Sequence, residues 1–174
     1  FKAVQKLKTD GAISAKTLSI DLRACGSESY YTEMLAKFGI DDIVHLLPLL
    51  PHKVALQDTA TADGLLLFQA ASCDHQIPAK VYEYLRLKKP ILAVTSMNGD
   101  TAAVLRHAGG ATLADLADEN SIYDGLRSFI SSVRSSSHSL PDMHKVIRYT
   151  RGNQTRELSL VLNQVLPRGA GATE

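Results

Sequence analysis

Gln76-Ile-Pro-Ala-Lys-Val-Tyr-Glu-Tyr-Leu-Arg-Leu-Lys-Lys-Pro-Ile-Leu-Ala-Val94 decides the fold, because a loop, a helix and a buried strand follow one another in it without slack. Pro78 suits the first helical position, where its missing N–H is no loss and its φ is already set. Val81, Tyr84 and Leu85 then share one helical face, while Lys80, Glu83 and Arg86 lie off it. Pro90 is expected to end the helix. Ile91 to Val94 is apolar without alternation, the pattern of a strand covered on both faces.

The same alternation extends in both directions. Upstream, residues 1 to 10 read as a helix closed by Gly11. Leu18 to Ala24 reads as a strand, Cys25 to Ser29 as a turn and Tyr30 to Phe38 as a helix closed by Gly39. Ile43 to Leu50 is a second apolar run, Pro51 opens a helix to about Thr61, and Gly64 to Ala71 is a third run too short for a helix. Downstream, Asp100 is placed to cap a helix to about Ala108. Ala111 to Leu116 is a weaker fifth strand, and Ser121 to Val133 has helical spacing. Ser131 to Ser139 reads as a loop, and a last helix is expected from about Met143 to Leu166 with a break near Gly152. Strands and helices alternating at this interval imply an α/β fold, a Rossmann-like three-layer sandwich with a parallel sheet covered on both faces.

The chain has 174 residues, 45% hydrophobic and 21% charged, enough for one domain with a real core and too short for two. The expected organisation is one Rossmann-like domain over residues 1–166 with a frayed tail at 167–174. A net charge of +1 lacks the basic footprint of a nucleic-acid binder. Cys25 and Cys73 sit in apolar surroundings without metal spacing, which favours buried thiols over a disulfide and fits a reducing, cytoplasmic setting. The histidines are too dispersed for a metal site, so no metal and no cofactor are expected. No apolar run approaches the roughly 20 residues that span a bilayer. The chain begins without methionine and inside a helix, and is read as a fragment of a longer protein.

In an open parallel sheet, ligands bind beyond the carboxyl ends of the strands. The loops there are Gly26 to Ser29, Ala71 to Ile77 and Thr95 to Gly99. Each carries small or polar residues and feeds a helix whose amino end favours an anion. Glu83, one turn from Lys80 and from Arg86, has two possible roles. It can be a solvated ion-pair partner worth about 0.3 to 0.5 kcal/mol, or an acceptor for two neighbouring hydroxyls. A carboxylate at Asp100 would repel a diphosphate, so Thr101 and the N–H groups after it are the better anion ligands.

The words Ile77-Pro-Ala-Lys-Val-Tyr-Glu-Tyr-Leu85 and Lys89-Pro-Ile-Leu-Ala93 resemble the donor-binding segment of GT-B-fold glycosyltransferases of the glycosyltransferase group 1 type. Gly99-Asp-Thr-Ala-Ala-Val-Leu-Arg106 with Ala108-Gly109 is similar to the family's next helix, and Tyr149 to Leu158 to its closing helix. The resemblance implies the C-terminal half of a GT-B fold. It implies a sugar transferred from a nucleotide-diphosphate sugar without a metal, in a chain inactive as this isolated piece because the N-terminal acceptor-binding domain is absent. Glu83 would hold the ribose hydroxyls. Leu46 to Lys53 matches the loop that recognises the base, with His45 and His52 at the surface. Gly26, His75, Gln76, Ile77, Lys80 and Thr101 complete the implied donor set. The family's basic diphosphate ligands would lie upstream of Phe1, and the absent domain could hold the protein at the inner face of a membrane.

One departure from the family pattern falls at His75. Retaining members carry an acidic residue eight positions before the ribose glutamate, and here that position is histidine with Asp74 beside it. Two other classes remain open. One is half of a GT-B-fold nucleotide-sugar epimerase. The other is a non-catalytic module, for which a receiver-like domain lacks an acidic pair after the first strand and a degenerate transferase acting as a binding partner fits better.

Overall fold

The computed structural model describes residues 1–165. The expected tail at 167–174 and the end of the last helix at Leu166 lie outside them. Among the described residues eight α-helices and five strands occur in the order α1 (Lys2–Thr9), β1 (Ile20–Arg23), α2 (Glu28–Phe38), β2 (Val44–Leu47), α3 (His52–Thr61), β3 (Leu65–Phe68), α4 (Ala79–Leu87), β4 (Ile91–Thr95), α5 (Asp100–Ala108), β5 (Ala111–Asp115), α6 (Glu119–Arg134), α7 (Met143–Val146) and α8 (Arg151–Val165). Single 3₁₀ turns sit at Ala71–Cys73 and Ile147–Tyr149. All strand pairs are parallel, which makes this the α/β, Rossmann-like three-layer sandwich that the alternation implied.

The strands form two groups. β1 pairs with β2, and β4 lies between β3 and β5. β4 is buried along its whole length, and its side chains divide between two cores because successive residues point to opposite faces. Leu92 joins Val4, Leu7, Leu126 and Ile130 under α1 and α6. Ile91 and Ala93 join Val81, Leu85 and Leu105 under α4 and α5.

Full cover on both faces holds for β4 only, with β3 and β5 partly covered. In β1 and β2, Ile20, Leu22, Val44 and Leu46 turn toward the first core, while Asp21, Arg23 and His45 alternate to the other face with Leu47 as its one apolar residue. A strand pair that is polar on one side gives a helix little to bury there, and α3 accordingly has no buried residue.

Several element ends differ from expectation. Pro78 is extended (ψ 141°) and precedes the first helical residue of α4, which ends at Lys88 in a left-handed turn (φ 54°) before Pro90 is reached. Asp100 is itself the first residue of α5, and Gly99 precedes it without any side-chain cap, so its carboxylate does not close the helix. α6 runs to Arg134, taking in Ser131 and Ser132. The hydroxyl of Ser132 is satisfied within the helix by the Phe129 carbonyl at 2.8 Å. The last helix is broken at Thr150, whose ψ of 147° is extended, two residues before Gly152.

Polar contacts fasten α1 to its neighbours on both sides. Lys8 Nζ donates to the Gly39 carbonyl and to Asp42, each at 2.6 Å. Tyr123 of α6 donates to Asp10 at 2.9 Å, and Lys6 lies 4.2 Å above the Tyr123 ring. The hydrogen bond from Lys8 holds the Asp42 carboxyl below the usual carboxylate range. A lowered folded value contributes stability above the ordinary carboxylate pKa, and that contribution is lost as pH falls through the lowered one. Lys8→Met is expected to return Asp42 to the ordinary range in a carboxyl NMR titration. An unchanged titration would show that Lys8 is not the cause.

Candidate functional site

Because every strand is parallel, the loops leading into α2, α3, α4 and α5 open on one rim of the sheet. Two buried or half-buried polar side chains brace that rim. Arg23, at the end of β1, donates to the Pro48 carbonyl at 2.8 Å and to Asp58 of α3 at 2.7 Å, which fixes the β2–α3 loop from beneath. Gln69, 9% exposed just after β3, donates through Nε2 to the carbonyls of Cys73 at 2.8 Å and Gln76 at 3.0 Å. A buried amide whose two hydrogens both find carbonyls holds a loop in one shape, since leaving either unpaired is costly.

The carbonyl of Asp74 accepts from the Asp100 N–H at 2.9 Å, tying the β3–α4 loop to the start of α5. Around this junction Asp74 Oδ1, Thr95 Oγ1 and Thr101 Oγ1 are buried without a hydrogen-bond partner. Thr95 and Thr101 are each 1% exposed. Buried polar atoms without a partner are exceptions in a folded protein, and these fall in the β3–α4 loop, at the end of β4 and in the first turn of α5.

The candidate residues divide into those on the rim and those turned elsewhere. Glu83, on the second turn of α4, has its Oε1 2.9 Å from His52 Nε2 at the start of α3. The carboxylate therefore stands directly against the β2–α3 loop, the segment Leu46 to Lys53. Among the described residues Lys80 and Arg86 form no ion pair with it. Gly26, at φ +81°, has nothing within 4 Å of where a Cβ would be, and its N–H donates to Glu28 at 3.3 Å. Lys80 is exposed and its charge acts on the Cys25 thiol across the gap between these loops. Burial and then Glu28 push that thiol up, with Lys80 opposing.

His75 and Ile77 point away from this grouping. The His75 side chain is 96% exposed and approaches only Asp100, at 3.8 Å. Ile77 packs its side chain into the core under α4 and α5 and lines a cleft of ≈ 370 Å³ with Tyr82, Val104 and Tyr149. A second cleft of ≈ 410 Å³ lies between α1 and α6, beside Leu7, Ile13 and Arg134. Neither contains Glu83. Gln76 is exposed, and its carbonyl is taken by Gln69.

The roles of Arg23 and Gln69 escaped the reading of the sequence, as did the pairing of His52, which was placed only at the surface. Arg23 and Gln69 had a signal of one kind, a polar residue closing an apolar strand run. His52 had none, since its pairing with Glu83 spans 31 positions. Among the described residues no group of three His, Cys, Asp or Glu stands close enough to hold a metal ion, and no helix is long and apolar enough to cross a membrane.

The fold and its braced rim define an α/β protein of the Rossmann-like, three-layer kind. No known family, curated protein or solved structure matches the chain.

Proposed function

We propose that this chain is the donor-binding domain of a glycosyltransferase that takes its sugar from a nucleoside-diphosphate sugar. The observation that supports it most is the seating of Glu83 against the β2–α3 loop, with His52 2.9 Å away. The resemblance assigns the ribose to that carboxylate and the base to that loop, and a ribose and its base must be held side by side. The unpaired hydroxyl of Thr101 at the amino end of α5 is a suitable partner for phosphate oxygens, where aligned N–H groups favour negative charge.

In such a reaction the bond between the sugar carbon and the diphosphate oxygen breaks, so negative charge grows on the leaving phosphate and positive charge on the sugar. Donors already in place before the bond breaks lower that barrier. This chain supplies helix ends, loop N–H groups and Lys80. The remaining basic ligands and the acceptor site belong, on this reading, to the rest of a two-domain protein.

Calorimetric titration of that two-domain protein with UDP, GDP and ADP and their sugars tests the proposal. Binding of none of them removes it. Glu83→Ala is expected to weaken donor binding about tenfold or more, or about 1.4 kcal/mol, while the unfolding midpoint shifts little. Charged hydrogen bonds to hydroxyls are worth about that much or more. Equal affinity in the variant would count against the role given to Glu83.

The exposure of His75 favours one other reading, a degenerate transferase kept as a binding partner. A side chain 96% exposed at the position where the family resemblance places an acidic sugar contact is what a lost site would leave. A folded two-domain protein that binds its partner but no nucleotide sugar would support it.

A further inference from the structure

Two arginines of α6 stand over an apolar hollow at the end of the sheet away from the rim. α1 leads into the start of β1, and α6 runs back from the end of β5, so both helices finish where the strands begin. Between those two helix ends lies the cleft of ≈ 410 Å³, within the range of small-molecule sites, about 300 to 1,000 Å³. Its base is formed by Leu7, Ile13 and Ile130, which are 1%, 3% and 8% exposed. Arg127, Ser131 and Arg134 line it from α6. Their spacing of four and then three positions places all three on one helical face.

Arg134 is already oriented for a ligand. Its Nη1 donates to the Ala12 carbonyl at 3.1 Å and its Nη2 to the Thr17 carbonyl at 3.2 Å. Neutral carbonyls fix the guanidinium plane without cancelling its charge, and they use two of its five N–H groups. Among the described residues neither Arg127 nor Arg134 forms an ion pair, whereas Arg23 and Arg148 each meet a carboxylate. Bracing the segment between α1 and β1 accounts for Arg134 but not for Arg127. The carboxyl ends of α1 and α6 also point here, each carrying about half a negative charge. Together they offset one guanidinium, which leaves about one positive charge over the apolar base.

We propose that this cleft binds a small organic monocarboxylate. Its head meets the free N–H groups of Arg134 in the field of Arg127, with Ser131 as a further donor. Its apolar body lies over Leu7, Ile13 and Ile130, and the alkyl stems of the two arginines add to that wall. A guanidinium fork matches the two oxygens of a carboxylate. A single negative charge also balances the single positive one left over, which a phosphate dianion does not. The cleft lies away from Glu83, so the proposal stands whether or not the rim binds a nucleotide sugar.

The test titrates hexanoate into the 174-residue chain and follows the methyl resonances of Ile13 and Ile130 and the Nε–H resonance of Arg134. Acetate lacks the apolar body and hexanol lacks the charge. Saturable shifts at those three residues are expected, with a dissociation constant below about 5 mM for hexanoate and at least about tenfold higher for either control. The proposal is overturned by an absence of saturation at about 20 mM hexanoate, or by hexanol binding as tightly. Shifts centred on the exposed Leu158 and Val161 of α8 would overturn it too, as would tighter binding of hexyl phosphate. Arg134→Gln is expected to weaken hexanoate at least about tenfold and Arg127→Gln at least about threefold. Should Arg134→Gln lose its brace and unfold, Arg127→Gln decides, and an unchanged affinity in it refutes the site.

Discussion

Gly110→Ala is expected to lower the stability of this domain by about 2 to 5 kcal/mol, the largest effect of any single methyl group here. Two costs combine. Gly110 has φ +75°, and an added Cβ would stand 2.2 Å from Pro141 N, 2.4 Å from Pro141 Cδ and 2.5 Å from the Leu140 carbonyl carbon. Holding alanine in a left-handed conformation costs about 1 to 2 kcal/mol, and forcing extra volume into a packed site about 1 to 3. The clash is with backbone, so no rotamer change relieves it. That backbone is itself anchored, the Asp142 N–H donating to the Ala108 carbonyl at 2.8 Å. Gly109→Ala is the internal control. It shares a φ of +75°, but its nearest foreign atom is 4.0 Å away, so it should show the conformational cost alone. Urea unfolding of both variants separates the two terms. A Gly110→Ala loss under about 1 kcal/mol would mean that the Leu140–Pro141 segment does not lie against β5.

Leu85→Ala comes next, with an expected loss of about 2 to 5 kcal/mol from lost burial and the cavity left behind. Leu85 is 0% exposed, as is Val81 one turn earlier, and the two seat α4 on the core shared with Leu105 and Ile91. Leu85→Met keeps the volume and should cost less than about 1.5 kcal/mol. The substitution reaches function as well as stability, since Glu83 rides on the same helix and keeps its place beside His52 only while α4 is seated. In a folded Leu85→Ala protein, the proposed donor affinity should fall although the side chain is remote from the ligand. A stability loss under about 1 kcal/mol would contradict the packing described for α4.

Elements whose signals are local could be read in advance. The helix over Ala79–Leu87 and the buried strand at Ile91–Thr95 were legible because apolar spacing and two prolines lie within about twenty residues. The ends of those elements were less so. Pro78 and Lys88 show why: either an extended residue before the first turn or a left-handed one after the last satisfies the same terminal peptide groups, and the choice depends on where the chain must go next. Ser131 and Ser132 looked like loop by composition, yet the apolar face of α6 is buried against β5 and α1 and carries them into the helix.

The candidate site was legible to the same degree. Glu83 could be singled out from its motif, and Gly26 and Thr101 from their places after strands. That His75 would lie in solvent and Ile77 in the core was hidden, because a loop's side chains take directions set by contacts elsewhere, here by Gln69 drawing the Cys73 and Gln76 carbonyls inward.

Apolar periodicity and turn residues alone determined that the chain alternates strands with helices, since burial and backbone sterics act over a few positions and leave their trace in the order of residues. Only the tertiary structure decided that β1 and β3 stand as separate edges beneath one bridging helix, that the β1–β2 pair is polar on one face, and that Glu83 meets His52. Those facts rest on contacts between residues far apart in the chain, where no spacing rule reaches and packing alone selects the neighbours.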